Sequence, residues 1–189
     1  AFADYASAGY DVVIGHGYEF GDPALEVAET YPDTKFICTE ADASADNVAS
    51  YVMACEQTAY VEGIIAASTS ESGKLGAIGP IPGDSLVKII NGYEDGAKSV
   101  NPDIEVQTAW TNSFVDTQLA QEAAKAMIEN GVDVIKHCAN ACGNGAIAAA
   151  VDADIWCQGD SYDQSSLAPE NILDSAIYNL DVVIDKAIE

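Results

Sequence analysis

Five stretches of this chain mix aromatic, amide and carboxylate side chains as a site for a small polar ligand would. They are residues 16–21, 40–47, 80–84, 111–114 with 137–144, and 160–164. In Gly159-Asp160-Ser161 the carboxylate of Asp160 could accept two vicinal hydroxyls of a sugar. In His16-Gly17-Tyr18-Glu19-Phe20-Gly21, the rings of Tyr18 and Phe20 offer flat apolar surface beside a histidine. Trp110 and Phe114 offer the same, although core packing is the default for each. Asn140 is an amide able to read a polar edge, and Gly143, in Cys142-Gly143-Asn144-Gly145, opens a helix whose free N–H groups could hold a polar atom.

The catalytic and cofactor patterns that would compete with binding are missing. His16 and His137 are the only histidines. There is no Gly-x-Ser-x-Gly elbow and no Gly-x-x-x-x-Gly-Lys-[Ser/Thr] loop, and no carboxylate is paired by spacing with a base. The glycines at 15, 17 and 21 are spaced Gly-x-Gly-x-x-x-Gly, which departs from the dinucleotide fingerprint. Cys138 and Cys142 adjoin His137, but further metal ligands at suitable spacing are lacking. The five cysteines, an odd number, read as small buried residues. No catalytic residue, cofactor or metal is expected.

Charge narrows the partners. Thirty-one acidic side chains face seven lysines, and arginine is absent, for a net charge of −24. That balance argues against nucleic acid and against anionic lipid surfaces. The acid reads as a solvation device, as in a high-salt habitat. Without arginine, the favoured fork for carboxylates and phosphates, a neutral hydroxyl-rich ligand fits best.

The elements that position these loops alternate. Apolar runs at 12–15, 36–39, 74–79, 105–110, 132–136, 155–158 and 172–178 read as strands, with 48–52 extended. Helical spacing appears at 23–31 (Asp22 as N-cap), 56–67 (Tyr60, Ile64 and Ala67 on one face), 85–100, 116–130, 143–152 and 181–188. Such alternation predicts parallel sheets with helices on both faces, and ligands beyond the carboxyl ends of the strands. Gly9 and Gly131 each precede a buried strand that ends in a histidine, a weak internal echo of two similar lobes. Residues 2–8 read as the tail of a helix, and the last helix lacks a following strand, so an interior fragment of a longer chain is expected.

Several segments together resemble one family. They are Gly15-His16-Gly17-Tyr18-Glu19-Phe20-Gly21-Asp22-Pro23-Ala24, Asn47-Val48-Ala49-Ser50-Tyr51, the run from Ile90 to Asp103, and that from Asp163 to Asn171. In this order they are similar to the basic membrane protein family, solute-binding lipoproteins of ABC importers that include purine nucleoside receptors. The resemblance implies a type I periplasmic-binding-protein fold: two doubly wound parallel-sheet lobes with a hinge, here truncated at both ends. Lobe 1 would span residues 1–72, without its first strand and ligand loop. Lobe 2 would span 73–177, and 178–189 would cross back. It implies a ligand closed between the lobes, with Phe20 as a stacking ring, Asp160 as the ribose carboxylate, and Asn140 and Gly143 in a glycine-rich loop. Phe114 is a further aromatic, and Glu40 stands near a position where relatives carry Asp or Asn. It also implies a monomer, outside the cytoplasm or lipid-anchored, partnered by a membrane permease. The alternatives are a ligand-sensing regulatory domain of the same fold, or a nucleoside-processing or NAD-dependent enzyme.

Overall fold

A strand followed by a helix returns to its sheet in the same direction, so alternating elements pair in parallel. The computed structural model describes all 189 residues, and its eight strands form two wholly parallel sheets. Each sheet belongs to a separate unit.

The smaller unit comprises Ala1–Met53 and Asn179–Glu189. It holds α1 (Phe2–Ser7), β1 (Val12–His16), α2 (Gly21–Ala28), β2 (Lys35–Thr39), β3 (Val48–Tyr51) and α7 (Leu180–Ile188). The sheet order β1-β2-β3 makes β2 central, and β2 is buried from Phe36 to Thr39. Its core is aromatic: Phe2 meets both Phe20 and Phe36 edge-to-face at 5.7 Å. Asn47 staples the unit, its amide nitrogen donating to the carbonyls of Ala28, Tyr31 and Thr34.

The larger unit, Ala54–Tyr178, holds α3 (Cys55–Thr69), β4 (Lys74–Gly79), α4 (Asp84–Val100), β5 (Glu105–Trp110), α5 (Thr117–Glu129), β6 (Val134–His137), α6 (Asn144–Ala153), β7 (Trp156–Gly159) and β8 (Ile172–Ser175). The order β5-β4-β6-β7-β8 puts a topological switch point between β4 and β6. Neighbouring side chains on a strand point to opposite faces. Ile135 therefore packs with Ala120, Ala124, Ala146 and Ala149 of α5 and α6. The next residue, Lys136, reaches Glu62 of α3 on the other face. Each helix pair is in backbone contact through a glycine. A Cβ on Gly96 of α4 would lie 1.9 Å from the Tyr60 carbonyl oxygen of α3, and one on Gly145 of α6 1.8 Å from that of Thr117 in α5.

The structure corrects three expectations. Helix α2 starts at Gly21, after a 3-10 turn over Tyr18–Phe20, so Asp22 lies in its first turn and does not cap it. Phe20, packed on Phe2 and against Gly15, draws the chain into helix before Pro23. The buried face of α3 is Cys55, Ala59, Glu62, Gly63 and Ala66, whereas Tyr60 is exposed. The reason is that an ion pair and close glycine contacts, rather than large apolar side chains, orient that helix. For the same reason α3 belongs with the larger unit, and the division falls at Met53–Ala54 instead of residue 72.

Gly83 has open space around its missing Cβ and an ordinary φ of −77°. Gly83→Ala should therefore leave stability within about 0.5 kcal/mol. Gly96→Ala makes the same chemical change where there is no room, and should cost about 1–3 kcal/mol. Thermal unfolding of the two variants side by side checks this. Equal melting temperatures would show that the α3–α4 contact is looser than described.

Candidate functional site

The switch-point rule selects the carboxyl ends of the strands in the larger unit. Asp160 follows directly on β7 and is only 4% exposed. Its carboxylate is held by hydroxyls: Tyr178 donates to Oδ1 at 2.8 Å and Ser161 to Oδ2 at 2.9 Å. The chain's four ion pairs do not include it. Its backbone N–H donates to Oε1 of Gln164 at 2.8 Å.

Gln164, 2% exposed, links this turn to His137 at the end of β6. Its Oε1 lies 2.9 Å from His137 Nε2. Because that oxygen already accepts the Asp160 N–H, the imidazole must donate, which fixes the Nε2–H tautomer. Nδ1 is then a bare acceptor, buried and without a partner. It faces Gly143, where a Cβ would come within 2.0 Å, so the ring's close approach is what requires glycine there. Burial pushes the imidazole below its usual range. The charge of Lys136 acts the same way, and the opposing charge of Asp160 does not outweigh them.

Beneath this rim is a buried ion pair. Lys136 Nζ and Glu62 Oε2 are 2.5 Å apart, with the residues 1% and 3% exposed. Burial alone would lower the lysine, but the Glu62 carboxylate, aided by the charge of Asp160, holds it above its usual range. Gln158 Nε2 donates to both the Glu62 carbonyl and Asp174 Oδ2, each at 2.9 Å.

The expected site residues fall in both units. In the larger one, Asn140 is exposed in a left-handed conformation (φ +49°) at the start of the 3-10 turn that ends at Gly143. Phe114 is half-buried, and its carbonyl accepts the Cys142 N–H at 3.1 Å. Trp110 lies against the backbone of β4 at Gly79. In the smaller unit, His16 ends β1, Tyr18 and Phe20 follow it, and Glu40 follows β2. His16 Nδ1 is 2.5 Å from Thr39 Oγ1, Tyr18 is exposed, and Phe20 is half-buried against the aromatic core. Glu40, at φ +62°, accepts the Met53 N–H at 3.1 Å. The smaller unit also has an open cavity of about 300 Å³ lined by Gly9, Tyr10, Asp11 and Tyr31–Thr34. It lies at the amino ends of β1 and β2, the wrong end for the strand rule.

Sequence reasoning missed Tyr178, Glu62, Gln158 and Asp174. One signal was available for the ion pair, since a lysine inside the run Val-Ile-Lys-His requires a buried counter-charge. Nothing in the sequence pointed from Asp160 to Tyr178.

Two parallel sheets with covering helices and a carboxyl-end rim define the type I periplasmic-binding-protein fold. A solute-binding protein of an ABC transporter system from Aeropyrum pernix superposes with a TM-score of 0.90 at 28% identity, over 99% of this chain and 56% of that one. Residues 1–189 match the family model of the PnrA-like ABC transporter substrate-binding proteins, and the chain belongs to that family, the basic membrane proteins. A purine-binding protein of Brucella abortus is 36% identical over 172 residues, 91% of this chain and 49% of that protein. A Haloferax volcanii protein, provisionally named an ABC transporter glucose-binding protein, is 32% identical over 178 residues, 94% of this chain and 45% of that protein. The chain thus spans about half the length of the curated relatives it matches.

Two predictions follow from the buried groups. Lys136→Met strands the Glu62 carboxylate and should cost about 3–5 kcal/mol in denaturant unfolding, with Lys136→Met/Glu62→Leu recovering most of it. A single variant as stable as the parent would refute the ion-pair account. For His137 the folded imidazole resists protonation, so stability is complete above the unfolded value of about 6.5 and declines as pH falls below it. His137→Asn should lack this decline. Unfolding measured from pH 8 to pH 5 decides the matter, and parallel curves for parent and variant would sink the assignment.

Proposed function

We propose that this chain is the ligand-binding part of an extracytoplasmic receptor for an ABC importer, that its ligand is a purine nucleoside, and that it performs no chemistry on it. The observation that carries this reading is Asp160. A nearly buried carboxylate at a strand's carboxyl end, answered by hydroxyls and not by a cation, suits a neutral ligand that brings hydroxyls of its own. Family membership supports the transport role, and the name of the Brucella relative supports the purine. In this reading Asp160 holds the ribose, Asn140 and the N–H groups around Gly143 meet polar edges, and Phe114 offers a ring to the base. His16, Tyr18, Phe20 and Glu40 are the candidate ligand residues at the strand ends of the smaller unit. The partner is a membrane permease. A sugar such as glucose is the second reading, favoured by the name of the Haloferax relative.

Calorimetric titration of the intact protein with adenosine, guanosine, inosine, ribose and glucose, at high and low salt, tests the proposal. Micromolar or tighter binding of a nucleoside is expected. Asp160→Ala should weaken it about 100- to 10,000-fold, the worth of two hydrogen bonds to a charged acceptor. Folded protein that binds glucose alone would replace the nucleoside with the sugar. Nucleoside binding indifferent to Asp160→Ala would remove the ribose role.

A further inference from the structure

Tyr178 is the last residue of the larger unit before the chain passes to α7. Two hydrogen bonds tie it to the turn that carries Asp160. Its N–H donates to the Ser161 carbonyl at 3.1 Å, and its hydroxyl to Asp160 Oδ1 at 2.8 Å. Ser161, held at φ +68°, sends its own hydroxyl to Oδ2 at 2.9 Å.

An ionised carboxylate has about two acceptor sites on each oxygen. Each oxygen of Asp160 therefore spends one on a protein hydroxyl and keeps one. The terminal torsion of an aspartate is otherwise broad and about two-fold. Donors on both oxygens fix it. Burial, reinforced by the negative charge of Asp160, pushes the Tyr178 phenol far above its ordinary range, so the hydroxyl remains a donor.

We propose that Tyr178 is a positioning residue that, together with Ser161, fixes the plane of the Asp160 carboxylate. The two remaining acceptor sites then stand side by side for a vicinal diol, and the site selects two adjacent hydroxyls over one. This rests on Asp160 being the sugar-holding carboxylate. A diol needs both oxygens in one orientation and gains from the fixed plane. A single hydroxyl can follow a rotating carboxylate and gains little.

The test is titration of the intact protein, of Tyr178→Phe and of Ser161→Ala with adenosine, 2′-deoxyadenosine and 3′-deoxyadenosine, with folding checked by circular dichroism. The parent should prefer adenosine over either deoxy form by about 10- to 100-fold, the worth of one charge-assisted hydrogen bond. Tyr178→Phe keeps the ring and should lower adenosine affinity about tenfold while changing the deoxy forms by less than about threefold, so that the preference shrinks. Ser161→Ala should act in the same direction. An equal loss for all three ligands would mean that Tyr178 only supports the fold, and would overturn the proposal. So would an unchanged preference in the variants. If the parent binds glucose and not adenosine, the nucleoside reading fails, while glucose against its 2-deoxy and 3-deoxy forms, in the parent and in Tyr178→Phe, still reads the clamp. If Asp160→Ala binds adenosine as the parent does, both fall together.

Discussion

The ammonium of Lys136 has to be answered inside the protein, and much of the larger unit is arranged around the answer. Moving a charge of this kind from water costs several kcal/mol, recovered only by a well-placed opposite charge. Glu62 supplies it from α3, which holds that helix over β6 at one register. Gln158, donating to the Glu62 carbonyl, ties the same helix to β7, and its second bond engages Asp174 of β8. With α3 placed, α4 packs on it at backbone distance through Gly96. Apolar residues of similar volume could be as stable. The pair instead fixes where α3 must lie, which the small and weakly directional side chains of its buried face could not do.

The next residue on the strand turns the other way. His137 points to the α5–α6 side and begins a chain of contacts that ends at Asp160: imidazole to Gln164, and Gln164 to the Asp160 N–H. Two consecutive side chains of β6 thus hold the helix layer on one face and the Asp160 turn on the other. The period of two in a β-strand makes this division of labour available. Gly143 completes it, because any larger residue would strike the imidazole and displace the turn.

Much of the scaffold was legible because it rests on local rules. Asp116 caps α5 through the Gln118 N–H, and Gly131 adopts the positive φ that ends a helix. The apolar runs became strands at nearly the expected places. Illegible features were those in which a residue's partner is remote in sequence. Glu62 lies 74 residues from Lys136, and no periodicity in α3 announces a carboxylate on its buried side. Tyr178 lies 18 residues from Asp160 and looked like the end of a strand. Phe20 was legible as a ring beside the end of a strand, but its contact with Phe2, remote in sequence, was not. Spacing identifies elements, and tertiary contact decides which face of each is used.

The charge of the chain bears on what such a rim can select. A net charge of −24 repels anions at long range and draws cations, but it leaves a neutral ligand unaffected. Salt screens that field further. Discrimination among neutral ligands must then come from contacts at hydrogen-bond range. There, a carboxylate held by hydroxyl donors keeps acceptor capacity that a lysine partner would have consumed. Lys136, whose charge reaches Asp160, is bound instead to Glu62, 2.5 Å away. The buried pair and the rim carboxylate are in this sense one arrangement. By keeping its ammonium below the rim, the larger unit leaves Asp160 to the hydroxyl groups of Tyr178 and Ser161.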